Sequence, residues 1–197
     1  MQINNAARRY GALALLALLA LLAMCALGSV VLAATPWTTE PGQSTLSFVG
    51  TQAGAEFSGT FRRFTATIRF DAEDLDGSSI DVSIDLGSID SKDAERDDII
   101  RGPDIFATER WPTARYVVDR FNSKGGGKFR GEGKLTLRDV TREVPIEFTY
   151  ASNASGGWLV GSATLDRLDF GVGQGEWKDT QWVGNRVRVE FALRLQH

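Results

Sequence analysis

Phe64-Thr-Ala-Thr-Ile-Arg-Phe70 and Ile80-Asp-Val-Ser-Ile-Asp-Leu86 decide the fold, because in each stretch apolar and polar residues alternate without a break. A period of two puts successive side chains on opposite faces of a strand, so both predict β-strands with one apolar and one wet face. The same alternation continues through Phe129, Gly131, Gly133, Leu135 and Leu137, then Val144, Ile146, Phe148 and Tyr150. It returns at Leu159, Gly161, Ala163 and Leu165, and again from Val187 through Val189, Phe191 and Leu193 to Leu195. With Leu46–Phe48, Phe57–Phe61 and the stretch around Tyr116 to Phe121, the chain holds about eight or nine strands. Turn residues separate them at Asp76-Gly77, Lys124-Gly-Gly-Gly127 and Asn153-Ala-Ser-Gly-Gly157. Between Phe61 and Phe64 the apolar parity slips by one residue across Arg62-Arg63, which predicts a bulge or a sharp corner. One short helix is predicted over Asp93 to Ile100, capped by Ser91 or Asp93 and stopped near Gly102-Pro103. An antiparallel set of this size forms either an immunoglobulin-like sandwich or a closed up-and-down barrel that can enclose one small ligand, and alternation alone does not choose.

Composition removes several function classes. The only His is the last residue, His197, and the only Cys is Cys25, so no Ser-His-Asp or Cys-His arrangement, His-rich metal site or disulfide framework can be built. Lys and Arg number 22 against 25 Asp and Glu, a net charge of -3, and no basic stripe marks a nucleic-acid partner.

Residues 1–34 are a different material. Arg8 and Arg9 precede an uncharged run centred on Leu13 to Leu22 and ending in the small-residue stretch Val31-Leu-Ala-Ala34. That order is the n-region, h-region and cleavage site of a secretory signal, so cleavage is expected near Ala33 or Ala34, with export to the periplasm. The competing reading is an uncleaved anchor, since the run approaches the ~20 residues that span a bilayer. Losing this segment takes the basic count from 22 to 20 against 25 acids, and the 163-residue body carries a net charge of -5 and no Cys. A body of this length can bury its own core.

Several familiar strings carry no chemistry. Asp169-Phe-Gly171 stands without the other kinase motifs, and Gly171-Val-Gly-Gln-Gly175 does not lead into a helix as a phosphate loop must. Asp74-Leu-Asp-Gly77 lacks the remaining ligands of a calcium loop. Asp97 and Asp98 are adjacent on the predicted helix, which is poor geometry for an acid/base pair and reads as a solvated face. The aromatic residues are more informative: Phe48, Phe57, Phe61, Phe64, Phe70, Phe129, Phe148 and Phe191 fall on alternating strand positions and predict an aromatic interior. For any one of them an ordinary packed core is the better reading. Trp177 and Trp182 lie in the Gly-rich connector from Gly171 to Gly184, where a place at a cavity mouth is easier to arrange than core burial.

The order of these segments resembles the YceI-like family. The segments are Ser47-Phe-Val-Gly50, Phe57-Ser-Gly-Thr-Phe61-Arg-Arg-Phe64, Ile89-Asp-Ser91 and the helical insert from Asp93 through Gly102-Pro-Asp-Ile-Phe106 to Trp111-Pro-Thr-Ala-Arg-Tyr116. They continue through Gly131-Glu-Gly-Lys-Leu-Thr-Leu-Arg-Asp-Val-Thr-Arg-Glu-Val144 to Arg167-Leu-Asp-Phe-Gly171. In the second hairpin Asp139 stands where the family uses Gly, in a turn that calls for left-handed backbone. The resemblance implies one domain over residues 35–197, an exported lipocalin-like β-barrel that binds a polyisoprenoid, an isoprenoid quinone or another prenyl-chain lipid, with no catalytic residues, metal or other cofactor. The family motifs do not map onto ligand contacts, so strand parity nominates Phe48, Phe57, Phe61, Phe64, Phe70, Phe106, Trp111, Tyr116, Phe129, Phe148, Ala163, Phe170, Trp177 and Trp182 as ligand-lining. Each CH₂-sized group withdrawn from water contributes ~0.8 kcal/mol, so a prenyl chain needs few polar contacts to be held. Two other classes compete: an all-β envelope interaction or adhesion module with a filled core, and a carboxylate-based hydrolase, which would need two converging acids where the sequence puts its acids on turns and wet faces. The expected assembly is a monomer or a homodimer.

Overall fold

The computed structural model describes residues 37–196 except 40 and 154; the predicted signal segment, residues 1–34, lies outside the described residues. Among the described residues no helix is long and apolar enough to cross a membrane. Eleven strands among the described residues form one antiparallel sheet: β1 (Trp37–Thr39), β2 (Thr45–Gln52), β3 (Ala55–Phe61), β4 (Phe64–Arg69), β5 (Ser79–Asp85), β6 (Ile89–Asp90), β7 (Thr113–Gly125), β8 (Lys128–Leu137), β9 (Val140–Asn153), β10 (Gly156–Asp166) and β11 (Arg186–Gln196). The strand order is β1-β4-β5-β7-β8-β9-β10-β11-β2-β3-β6, and β1 pairs with β11 as well as β4, which curls the sheet into a barrel. The predicted lipocalin-like architecture is therefore observed, and the sandwich is not.

Closure is uneven along the axis. At one end β1 stitches Ile68 of β4 and Leu195 of β11 together through Trp37 and Thr39. At the other end β3 and β4, consecutive in sequence, do not pair. Arg62 and Arg63 make the corner that the parity slip predicts, the Arg62 amide donating to Ser88 O at 3.1 Å and the Arg63 amide to Ser88 Oγ at 3.0 Å. A second parity change, which the apolar pattern does not show, occurs in β7. The register shifts between Val118 and Phe121, and a bulge there turns both side chains inward.

The helix α1 (Ala94–Arg101) starts as predicted, with Asp93 Oδ1 accepting from the Arg96 amide at 3.1 Å. Two expectations are corrected. Asp97 is buried rather than solvated, because its carboxylate accepts the Ser91 amide at 2.9 Å and fixes the helix to β6. In the β8–β9 hairpin the left-handed residue is Arg138, at φ 58°, and not Asp139.

Inward-facing glycines make room for aromatic rings. A Cβ on Gly133 would sit 2.1 Å from the Tyr116 hydroxyl, and one on Gly59 would sit 2.6 Å from the Phe48 ring, so a larger residue at either place would displace the ring.

Candidate functional site

The interior divides into two materials along the barrel axis. Toward the β1 end it is solid. Phe70 is the hub, with its ring centroid 5.3 Å from Phe121, 4.9 Å from Phe129, 5.2 Å from Phe148 and 4.8 Å from Tyr150, all in edge-on arrangements. Such pairs add ~0.5 to 1.5 kcal/mol beyond their area burial. Trp37, Ile68, Val118 and Leu195, all buried, complete this floor.

Above the floor the barrel is hollow. A cavity of about 220 Å³ has an almost entirely apolar wall. Its lower edge is Ile80, Ile146, Leu159 and Leu193, and its sides carry Phe48, Phe57, Phe61, Phe64, Tyr116, Ala163 and Val189. Inward residues here, such as Val82, Ala163, Val187 and Val189, pack against the core on one side and line the cavity on the other, and are only half-buried. Tyr116 spends its hydroxyl on the wall, donating to Val144 O at 2.6 Å, and so offers the cavity a ring rather than a polar group.

Three pieces of chain, a helix and two irregular segments, cover the open end, and each is pinned by an arginine. Arg101 ties α1 to the barrel by donating to Gly87 O at 3.2 Å and Ile89 O at 3.0 Å. Arg138 joins the segment after α1 to the start of the Gly171–Gly184 connector, donating to Ile105 O at 2.7 Å and Gly171 O at 2.8 Å. Arg167 is buried and donates to Gly184 O at 3.0 Å, Val172 O at 2.8 Å and Val183 O at 2.8 Å. Burial lowers the pKa of its guanidinium. It holds both ends of the connector with carbonyl oxygens and no carboxylate.

Beside the cavity, between α1 and the connector, lies a vestibule of about 230 Å³ bordered by Gln52, Phe57, Asp93, Glu95, Arg96, Ile99, Ile105, Trp177 and Val183. Phe57, Ile100, Ile105, Trp177 and Val183 border both spaces. Arg96 pairs with Asp93 at 3.2 Å and lies over the Phe57 ring at 4.8 Å.

Of the nominated residues, the structure brings Phe48, Phe57, Phe61, Phe64, Phe106, Tyr116, Ala163 and Trp177 together around the cavity. Phe70, Phe129 and Phe148 instead form the floor beneath it. Phe170 is fully buried against the wall from outside the cavity, in the short 3-10 turn Arg167–Phe170. Arg110, at 4.3 Å, and Arg138, at 4.7 Å, both lie over the Trp111 ring, which does not border the cavity. Trp182 is 54% exposed and does not border the cavity, although its neighbour Val183 does. Sequence reasoning missed the aliphatic wall, above all Ile84, Leu135, Leu165 and Val187, which shares the inward parity already read for its strands.

One titration follows from the wall. Burial, and to a lesser degree the Glu132 carboxylate, push the Tyr116 phenol well above its ordinary value of 10.0. The neutral form is favoured in the folded protein, so its contribution to stability is intact below the unfolded-state value near 10 and is lost as pH rises beyond it. Denaturant titrations should show stability falling above about pH 10, and a smaller fall in Tyr116→Phe; equal slopes in the two proteins would remove Tyr116 as the cause.

A lipocalin-like barrel, hollow at one end and apolar inside, defines a class of all-β proteins with an internal apolar cavity. The YceI-like domain matches residues 37–195, and the chain belongs to that family. A UPF0312 protein of Vibrio parahaemolyticus is 29% identical over 165 residues, covering 80% of this chain and 83% of that protein. One from Shewanella denitrificans is 30% identical over 141 residues, covering 68% and 74%. Among solved structures, Burkholderia cenocepacia BcnA is similar with a TM-score of 0.77 and 31% identity, over 81% of this chain and 99% of that one. A polyisoprenoid binding domain from Saccharophagus degradans shares the fold with a TM-score of 0.66 at 14% identity, over 81% and 97%.

Proposed function

We propose that the protein is exported to the periplasm, loses residues 1–34, and there holds the apolar chain of a polyisoprenoid, such as a quinone or another prenyl lipid, inside the barrel. The observation that carries this reading is the cavity itself, with an apolar wall, a solid floor and one polar vestibule. A ligand with a long hydrocarbon tail and a small polar head matches that distribution. Its tail loses contact with water, and its head keeps hydrogen-bonding partners at Gln52, Asp93 and Arg96. The name of the Saccharophagus domain points to the same chemical class. Against a filled-core adhesion module stands the hollow upper half; against a hydrolase stands a wall with no pair of carboxylates facing into it.

Organic extraction of protein purified from the periplasm, followed by mass spectrometry, tests the reading directly. Recovery of a prenyl lipid at near-equal stoichiometry is the expected result, and protein that carries none and refuses added prenyl quinone would overturn it. Fluorescence locates the head. Trp177 borders both spaces and Trp182 borders neither. A quinone titrated into the wild type should quench saturably, the quenching should shrink in Trp177→Phe, and it should persist in Trp182→Phe. Equal quenching in all three would place the quinone ring elsewhere.

A further inference from the structure

We infer that the aromatic floor is a chain-length gauge, limiting the enclosed part of the ligand to about three isoprene units. This rests on the prenyl-lipid reading above and adds to it which members of that class are fully enclosed.

The cavity wall runs along β11 from Val187 to Leu193 and along β10 from Leu165 to Leu159. At about 3.4 Å per residue, with strands tilted roughly 40° from a barrel axis, that stretch is about 15 Å deep. An extended isoprene unit, four main-chain carbons, covers about 5 Å at ordinary C–C bond lengths. Three units reach Leu159 and Leu193, and a fourth meets Phe70, Phe121, Phe129 and Phe148.

That floor does not yield easily. Phe70 packs edge-on against four rings at once, Phe129 and Phe148 stack at 5.6 Å, and Val118, Ile68 and Leu195 are wholly buried around them. Strand pairing holds the same level from outside, since β1 bridges β4 and β11 there. Room for a fourth unit requires several rings to leave their rotamers together, which a close-packed interior resists. A longer tail must therefore leave its surplus units at the vestibule, in water, where they add little to affinity.

The experiment is a titration of the mature protein with prenyl alcohols of two, three, four and nine units (geraniol, farnesol, geranylgeraniol and solanesol), with straight-chain alcohols of matching lengths alongside. The expected result is a Kd that falls at least ~10-fold from two units to three and changes less than ~3-fold from four to nine. In Phe70→Ala, which empties the hub by roughly the volume of one isoprene unit and keeps the site apolar, the break should move outward, so that four units bind at least ~10-fold tighter than three. Phe129→Ala opens the same floor from its side and is read in its place where Phe70→Ala does not fold. Affinity that keeps climbing through nine units in the wild type, or a break that stays put in the folded floor variant, overturns the gauge. Straight chains that show the break while prenyl alcohols are refused would support the gauge and overturn the polyisoprenoid reading. Refusal of both series would overturn both.

Discussion

Ala163→Trp is expected to lower prenyl-lipid affinity by at least ~100-fold, about 2.7 kcal/mol, while lowering unfolding stability by less than the ~1 to 3 kcal/mol that overpacking a filled core costs. Ala163 lies midway up β10 on the inward face, paired across the sheet with Ile146 and Val189, and all three border the cavity. An indole placed there projects into existing space, so it competes with the ligand for volume before it strains the wall. The neighbouring position shows the contrast. At Gly161 a Cβ would lie 2.7 Å from the Phe191 ring and 2.3 Å from Glu147 O, so a Trp there would disrupt the barrel itself. Calorimetric titration with farnesol, paired with a urea melt, separates the effects. Wild-type affinity in a folded Ala163→Trp protein would mean that the ligand does not occupy the cavity; equal losses of stability and binding would mean that no open space existed at this level.

Which parts of this arrangement were legible in the sequence follows from what alternation encodes. Period two reports whether a side chain points in or out, and for Phe48, Phe61, Phe129, Phe148, Ile68 and Leu193 it reported correctly. It is silent on height along the barrel axis. Phe129 and Phe61 share the inward parity, yet one is floor and the other is cavity wall, because their strands reach them at opposite ends of the barrel. Strand direction and register set that difference, and neither is written in a single strand. The closing elements were also invisible. β1 has three residues and β6 has two, too few to show any period, although β1 pairs with both β4 and β11. The helix start at Asp93 was readable because a cap is a local hydrogen bond between residues three apart. The burial of Asp97 was not, since its partner Ser91 lies before the helix and the contact depends on how α1 packs.

Arg167 shows the limit most clearly, and its removal is expected to have the largest effect on the mouth. A lone Arg at the end of a strand reads as a solvated charge, whereas here it is 6% exposed and caps three carbonyls from both ends of the connector. Space is reserved for it: a Cβ on Gly173, which has φ 96°, would fall 1.8 Å from the Arg167 Nη1. Arg167→Met keeps much of the apolar stem and removes all three donors. Each carbonyl left buried without a partner costs ~1 to 3 kcal/mol, and one near the vestibule recovers part of that from water, so a net loss of ~3 kcal/mol is expected. Arg167→Lys should recover little of it, because an ammonium on a flexible stem cannot reproduce the planar fork that reaches Val172, Val183 and Gly184 together. The loss should be concentrated at the connector. Amide exchange at Val172–Gly184 should quicken at least ~10-fold while the floor strands around Phe70 and Phe148 keep their protection. The connector amides that Asp104 O accepts, Gly173 at 2.9 Å and Gln174 at 2.8 Å, report the change most directly. Ligand release should accelerate with it, since Trp177 and Val183 border the opening and are carried on that connector. Exchange that quickens uniformly over the barrel would make Arg167 a general fold determinant, and unchanged exchange in Arg167→Met would show that the backbone contacts to Asp104 hold the mouth without it.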